Sequence, residues 1–284
     1  AHVYCPPNIS GFVGGDTVAF ILSQRFDESE GHVVGIDIGT NGEIVIVDEG
    51  QIYCCSAAAG SAFEGATIQQ GMRGQEGAIE YVTIKDPQET PEIAVIGGGP
   101  PRGICGSAIV DLVAEMRGAS LLDEGGRFHS SKRIERHEDL GRVYLVADIG
   151  EYDAEQRILF TQKDVRQVQL AKAAIQAGTK MGLAAAGVKT EDIDMVVLAG
   201  AFGNYIRTES AIEIGLIPAL PQERILAVGN AAGDGAKRMA LSLDQRRIAE
   251  RIAKNVQYIE LAGREGFQEE FLTSTLLTPW KLKG

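Results

Sequence analysis

Short apolar runs that end in glycine set the rhythm of this chain. Residues 32–38 read as a first strand closed by Gly39, followed by strands over 43–47 and 51–56 with Asp48-Glu49-Gly50 as the turn between them. Ile44-Val45-Ile46-Val47 is apolar on both faces, the mark of a central strand covered on two sides. Ahead of these strands, Pro6-Pro7 blocks a helix in the lead-in. Asp16 is placed as the N-cap of a helix over 17–24, where Val18, Ile21 and Leu22 share one face.

Small residues over 57–65 lead into a predicted helix over 66–72, and strands are predicted over 78–84 and 92–96. After Gly97-Gly98-Gly99-Pro100-Pro101, apolar residues from Ile104 to Met116 repeat at helical spacing. Residues 118–142 are the least core-like, a predicted solvated excursion in which His129 and His137 are surface residues. A strand pair over 143–149 and 157–161 precedes the longest helix, 164–186, whose Ala171, Ala174, Ile175 and Gly178 form a smooth packing face. The order strand, glycine turn, helix then occurs twice, with strands over 195–198 and 225–228. A helix over 235–255, a short strand over 257–261 and an amphipathic stretch over 267–277 complete the chain. This order predicts an α/β domain, a mixed sheet flanked by helices.

Charge changes the range of functions. With 27 Lys+Arg against 39 Asp+Glu the formal charge is −12, which argues against nucleic acid or an anionic membrane surface as partner. No apolar run is long enough to span a bilayer, no signal peptide is legible, and the chain opens on Ala1, so a cytoplasmic piece of a longer protein is expected. Cys5, Cys54, Cys55 and Cys105 have no zinc or iron–sulfur spacing and read as reduced thiols. Adjacent strand residues face opposite ways, so Cys54 and Cys55 read as core filler. Gly makes up 35 of 284 residues, about one in eight against a usual share of about 7%.

Those glycines gather at strand ends, where ligands bind in open α/β sheets. Dinucleotide, P-loop, zincin and nucleophile-elbow motifs are missing. The informative string is Asp37-Ile38-Gly39-Thr40-Asn41-Gly42-Glu43. A strand delivers Asp37 to a sheet edge, where a carboxylate is costly without a cation or donors. Two glycines around Thr40 and Asn41 let backbone N–H groups converge on phosphate oxygens, although an Asn-Gly hairpin alone accounts for the same turn. The strings Ala199-Gly200-Ala201-Phe202-Gly203-Asn204 and Gly229-Asn230-Ala231-Ala232-Gly233-Asp234-Gly235 supply two further bare strand ends, against which a ring or sugar can lie, or a helix pack.

With these strings the chain resembles the ASKHA superfamily of actin-like and sugar-kinase-like ATPases, whose core is ribonuclease-H-like. More closely it resembles the C-terminal region of the reductive activators of corrinoid proteins. Ile9 to Asp16, Ala57 to Gly65, Gly103-Ile104-Cys105-Gly106-Ser107 and Gln169 to Ile175 add to the likeness, which covers nearly the whole chain. The resemblance implies one ASKHA-type domain over 1–284: a lead-in (1–30), a ribonuclease-H-like core (31–262) with a polar insertion near 118–142, and a C-terminal helical extension (263–284). It implies ATP and Mg²⁺ as cofactors, with Asp37 on the metal side and Gly39, Thr40, Asn41 and Gly42 as the second phosphate loop. Gly200, Ala201, Phe202, Gly203 and Asn204 would frame adenosine, and Gly229, Asn230 and Gly233 would belong to the second connecting helix. No Asp-x-Gly-Thr-Thr hairpin precedes them, and the nearest string, Asp148-Ile149-Gly150-Glu151, lies downstream and lacks the threonines.

The function implied is the ATPase-like part of an activator that reduces Co(II) corrinoid to Co(I) with an electron from a ferredoxin-type [2Fe-2S] centre. That centre would lie upstream of this chain. The implied partners are a corrinoid protein of a methyltransferase system and a second copy in a homodimer, with the isolated chain inactive. Glu43 and Glu64 are both open as a general base. A dehydratase activator or sugar-kinase-like ATPase, and a non-catalytic module for dimerisation and docking, are the alternatives.

Overall fold

A computed structural model describes residues 3–148, 157–200 and 205–280. The elements in chain order begin with α1 (Gly15–Gln24), β1 (His32–Ile38), β2 (Gly42–Asp48) and β3 (Gln51–Ala57). A long excursion holds β4 (Ala78–Thr83), β5 (Glu92–Val95), β6 (Gly103–Ile104), α2 (Gly106–Gly118), β7 (Ile134–His137), β8 (Gly141–Asp148) and β9 (Arg157–Thr161). The chain returns through α3 (Gln162–Ala186), β10 (Met195–Ala199), α4 (Thr208–Glu213), β11 (Ile225–Gly229) and α5 (Ala231–Leu241). It ends with α6 (Leu243–Asn255), β12 (Gln257–Tyr258) and α7 (Phe267–Thr273).

β1, β2 and β3 form an antiparallel meander, and β10 and β11 join it parallel to β1, giving the six-stranded order β11-β10-β1-β2-β3-β12. The sheet is covered on both faces, as the doubly apolar β2 requires. Val34, Ile36, Ile44, Ile46 and Cys55 enter the core beneath α3, while Val33, Val45, Val47, Ile52 and Cys54 enter the core beneath α1, α5 and α6. The vicinal cysteines therefore point to opposite sides of the sheet, as expected. Gly35, between Val34 and Ile36, admits two rings: a Cβ there would lie 2.8 Å from Phe26 and 3.0 Å from Phe20.

α3 starts with a reciprocal cap. Thr161 Oγ1 accepts from the Asp164 N–H (3.0 Å) and Asp164 Oδ2 accepts from the Thr161 N–H (2.8 Å). Two shorter sheets, β5-β4-β6 and β7-β8-β9, are built from the excursion. The C-terminal segment docks on α3 through Lys172, which is fully buried. Its ammonium donates to Gln176 Oε1 (2.8 Å) and the Leu276 carbonyl (2.7 Å), and burial lowers its pKa to about 7.

Local pattern misleads at five places. Residues 66–72 are turns, not a helix: Ile104 N–H donates to the Gln70 carbonyl and Met72 N–H to the Ile104 carbonyl, both at 2.9 Å, so the segment spends its backbone groups on β6. For the same reason α2 starts at Gly106, because Gly103 and Ile104 pair in register with Ala78 and Ile79. α1 starts at Gly15 behind an extended Gly14, which puts Asp16 inside the first turn, its carboxylate accepting from the Thr17 N–H at 2.8 Å. The helix read over 235–255 is two, broken at Ser242, whose hydroxyl caps α6 by accepting from the Gln245 N–H (3.3 Å). Within 118–142, Leu121, Leu122 and Phe128 are buried, so the solvated excursion is shorter than its composition implied.

Candidate functional site

Because β1, β10 and β11 are parallel, their C-terminal ends share one sheet edge. Asp37 lies opposite Ala199, and Ala199 lies opposite Gly229 after a register shift. On the other side of β1, Asp37 is opposite Glu43 of β2. The edge thus brings together Gly39, Gly200 and Gly229, one glycine from each string picked out in the sequence.

The two carboxylates sit on the α1/α5 side of the sheet, continuing the rows of Val33 and Val45. Burial, then repulsion from Asp16, raises Asp37 to about 6. Burial, Asp16 and Asp37 together raise Glu43 to about 7, against a hydroxyl donated by Ser56 (3.3 Å). Among the described residues no hydrogen-bond donor reaches Asp37. Among those residues Asp37 is a half-buried carboxylate whose charge is costly without a cation.

Gly39 N–H donates to the Asn41 carbonyl (3.0 Å), closing the β1–β2 turn with Thr40 and Asn41 exposed. Thr40 Oγ1 donates to Glu64 Oε1 at 2.6 Å, so the loop after β3 reaches this turn. Gly42 is buried over α3, where a Cβ would lie 2.9 Å from Ile175. Gly200 follows β10 with φ +96°; a Cβ there would stand 2.6 Å from the Ile38 carbonyl oxygen and 2.9 Å from Asp37 Oδ1. Only glycine meets both demands. Its N–H donates to the Gly229 carbonyl (2.9 Å), tying the β10 and β11 turns together. Asn230 caps α5, its Oδ1 accepting from the Gly233 N–H (2.8 Å).

α1 and α5 run side by side in the same direction, Gly235 against Ala19 and Arg238 reaching the Leu22 carbonyl (3.4 Å). Both therefore begin at this edge, and their N-terminal N–H groups bring positive potential to it. Ala201, Phe202, Gly203 and Asn204 lie outside the described residues. Sequence reasoning missed Asp16 as a neighbour of Asp37, because nothing local reveals that α1 starts at the edge where β1 ends.

Among the described residues no three His, Cys, Asp or Glu side chains are grouped to hold a metal alone. The Asp37–Glu43 pair fits a different partner. Mg²⁺ keeps most of its water and takes one or two carboxylates beside substrate phosphates, and a carboxylate that has no donor among the described residues, at the foot of a glycine turn, fits that donor set. The four cysteines are free; Cys54, Cys55 and Cys105 are buried, and burial pushes the Cys54 thiol up to about 12 and Cys55 higher still. Among the described residues no helix is long and apolar enough to cross a membrane.

Comparison with known proteins agrees with this architecture. The chain is 38% identical over 279 residues to the corrinoid activation enzyme RamQ of Eubacterium limosum, covering 95% of this chain and 46% of that protein. It is 25% identical over 283 residues to the [Co(II) methylated amine-specific corrinoid protein] reductase of Methanosarcina barkeri, covering 95% of this chain and 51% of that one. The chain thus spans about half the length of these relatives. A solved structure described as a reductive activator for corrinoid,iron-sulfur protein superposes with a TM-score of 0.91 at 36% identity, covering 98% of this chain and 44% of the other. The family model described as the C-terminal domain of RACo, the ASKHA domain, matches residues 32–283, and the chain belongs to that family.

Proposed function

We propose that this chain is the ATPase-like part of an ATP-dependent reductive activator of corrinoid proteins. The observation that carries the reading is the shared edge: Asp37, a carboxylate with no hydrogen-bond donor among the described residues, ends β1 beside Gly200, with Gly229 one strand further and the first turns of two helices at the same edge. Phosphate oxygens would accept from the Gly39 to Gly42 turn, and Asp37, with Glu43 beside it, would hold Mg²⁺ through water. When bound, the ion neutralises phosphate charge. Gly200, with the Ala201 to Asn204 segment, would face the nucleoside, and Gly229, Asn230 and Gly233 would line the start of α5.

The names of the relatives speak of corrinoid activation and of the reduction of a Co(II) corrinoid protein, and in our reading one electron takes Co(II) to Co(I). In our reading that electron comes from a [2Fe-2S] centre in a ferredoxin-type domain outside this chain. ATP binding and hydrolysis drive the uphill step through a difference in nucleotide affinity between two arrangements of the lobes. A corrinoid protein of a methyltransferase system is the partner, the activator is a cytoplasmic homodimer, and residues 1–284 act as one domain within it.

Calorimetric titration of Mg²⁺–ATP tests this. Binding is expected to be weak to this chain alone and restored in the full-length activator, where Asp37→Ala abolishes hydrolysis and the ATP-dependent appearance of the Co(I) absorption band. Full turnover by Asp37→Ala would overturn the site; failure of the full-length protein to bind nucleotide would leave docking of the corrinoid partner as the role of the domain.

A further inference from the structure

The turn that our reading gives to phosphate already holds an anion. Between β1 and β2 the Gly39 N–H is spent on the Asn41 carbonyl, while among the described residues no acceptor is paired with the Thr40 or Asn41 N–H. Two amides and one hydroxyl, all on exposed residues, are therefore the donors of this turn. The hydroxyl is taken. Thr40 Oγ1 donates to Glu64 Oε1 at 2.6 Å, the short spacing of a hydroxyl on a carboxylate.

Glu64 is brought there by a fixed loop. It is exposed, but stands between the buried residues Ala62 and Phe63 on one side and Gly65 on the other. Its N–H donates to the Ser61 carbonyl (3.2 Å), the Gly65 N–H to the Ala62 carbonyl (3.0 Å) and the Ala66 N–H to the Ser61 carbonyl (3.1 Å). Gly65, with φ +80°, then packs on the backbone that pairs with β6: a Cβ there would lie 2.8 Å from the Met72 nitrogen. With its backbone held on both sides, Glu64 keeps the rotation of its side chain as its main freedom.

A hydroxyl carries one proton, so Thr40 can donate to Glu64 or to a phosphate oxygen, and not to both. We propose that Glu64 is an internal competitor for the phosphate turn: its carboxylate holds the Thr40 hydroxyl as a phosphate oxygen would, and swings away when a phosphate group is seated on residues 39–42. The proposal rests on the nucleotide reading above and deepens it by naming what that ligand displaces. The contact lowers apparent affinity by the fraction of time for which the hydroxyl is free. A weak anion, such as a single phosphate, is thereby kept off the turn, whereas a ligand held by further contacts still enters.

The test is calorimetric titration of Mg²⁺–ATP and Mg²⁺–tripolyphosphate into the full-length activator. Glu64→Gln leaves an acceptor in place without its charge; it should tighten both ligands about fivefold, the difference between a hydrogen bond to a carboxylate and one to an amide. In a Thr40→Val background nothing keeps the carboxylate at the turn, and the same change should alter affinity by less than about twofold. Thr40→Ser, which keeps the hydroxyl, should restore the full effect.

Equal tightening with and without the hydroxyl is plain removal of charge and overturns the proposal. Unchanged affinity in Glu64→Gln overturns it too, leaving that residue open only as a general base. Either result, with normal wild-type binding, refutes the competitor and leaves the nucleotide reading standing. If no variant binds either ligand, the nucleotide reading falls and the competitor falls with it.

Discussion

The two edges of the central sheet treat charge in opposite ways. At the edge where β1 begins, His32 Nδ1 stands 3.0 Å from Asp48 Oδ1, and Asp194 Oδ2 accepts from the His32 N–H at 2.9 Å. Arg224 closes the same corner, its Nε donating to the Asp194 carbonyl at 2.7 Å. The Asp194 carboxylate there has Arg224 as its counterpart, 3.7 Å away. At the edge where β1 ends, Asp37 and Glu43 face each other across the strands with Asp16 nearby; the three carboxylates repel, and only a Ser56 hydroxyl and a backbone hydrogen bond favour the charge on Glu43. Folding alone favours the first arrangement. The second is sustained only by the packing around it, and such a site gains most from a cation and its ligand.

The sharpest way to break the comparison is to neutralise one residue at each edge. Asp37→Asn should cut Mg²⁺–ATP turnover about 100-fold, as expected for loss of charge stabilisation at a phosphate site, while raising unfolding free energy at pH 8 by about 2–3 kcal/mol. Asp48→Asn should leave turnover intact and cost less than about 1 kcal/mol. A destabilised Asp37→Asn would show that the carboxylate has a stabilising partner after all.

Glycine substitutions come next. Gly200→Ala adds a Cβ against the Ile38 carbonyl oxygen and Asp37 in a left-handed conformation, and should cost about 2–4 kcal/mol in denaturant unfolding. Gly187, at the C-terminus of α3 with φ +76° and open space around it, should cost only about 1 kcal/mol as alanine.

Titration gives a smaller effect of defined sign. Asp37 and Glu43 have folded pKa values near 6 and 7, above the ordinary 3.8 and 4.5. Their neutral forms are favoured in the fold, so stability is fullest below about pH 4 as far as these groups are concerned and declines as pH rises to about 7. The slope should total about 2 kcal/mol or more between pH 5 and 8, vanish in the Asp37→Asn, Glu43→Gln double variant, and flatten when Mg²⁺–nucleotide is present. Thr40→Val, which removes only the hydroxyl donated to Glu64, should cost less than about 1 kcal/mol and a few-fold in turnover. A loss comparable to Asp37→Asn would move Glu64 into the catalytic machinery.

What was legible in the chain follows from the range of the forces involved. β1 to β3, β10, β11 and α3 show themselves because their apolar periods are long and their ends carry glycine or a cap. The predicted helix at 66–72 fails because its backbone bonds lie with Ile104, more than thirty residues away, and no local pattern records that pairing. Ser242 did carry a signal, a serine three residues before Gln245, but the unbroken run of helix formers hid it. Asp111 was also visible as one acid within Ile109-Val110-Asp111-Leu112-Val113, which demands a buried cation; only the fold names Arg207, whose Nε donates to Asp111 Oδ2 at 2.8 Å. At the site, Asp37 and its glycines were readable because a strand end states its own chemistry, whereas the approach of Asp16 needed the direction of α1.

The two neighbouring cysteines of β3 have a practical consequence. Cys54 faces one core and Cys55 the other, so neither can meet a reagent until the strand leaves its neighbours, and burial keeps both thiols protonated until then. Alkylation of this pair is a built-in stopwatch for opening of the sheet, with the exposed Cys5 as the internal standard for reagent speed. If nucleotide clamps the edge where β1 ends, the stopwatch should slow in its presence, with no label added to the protein beforehand.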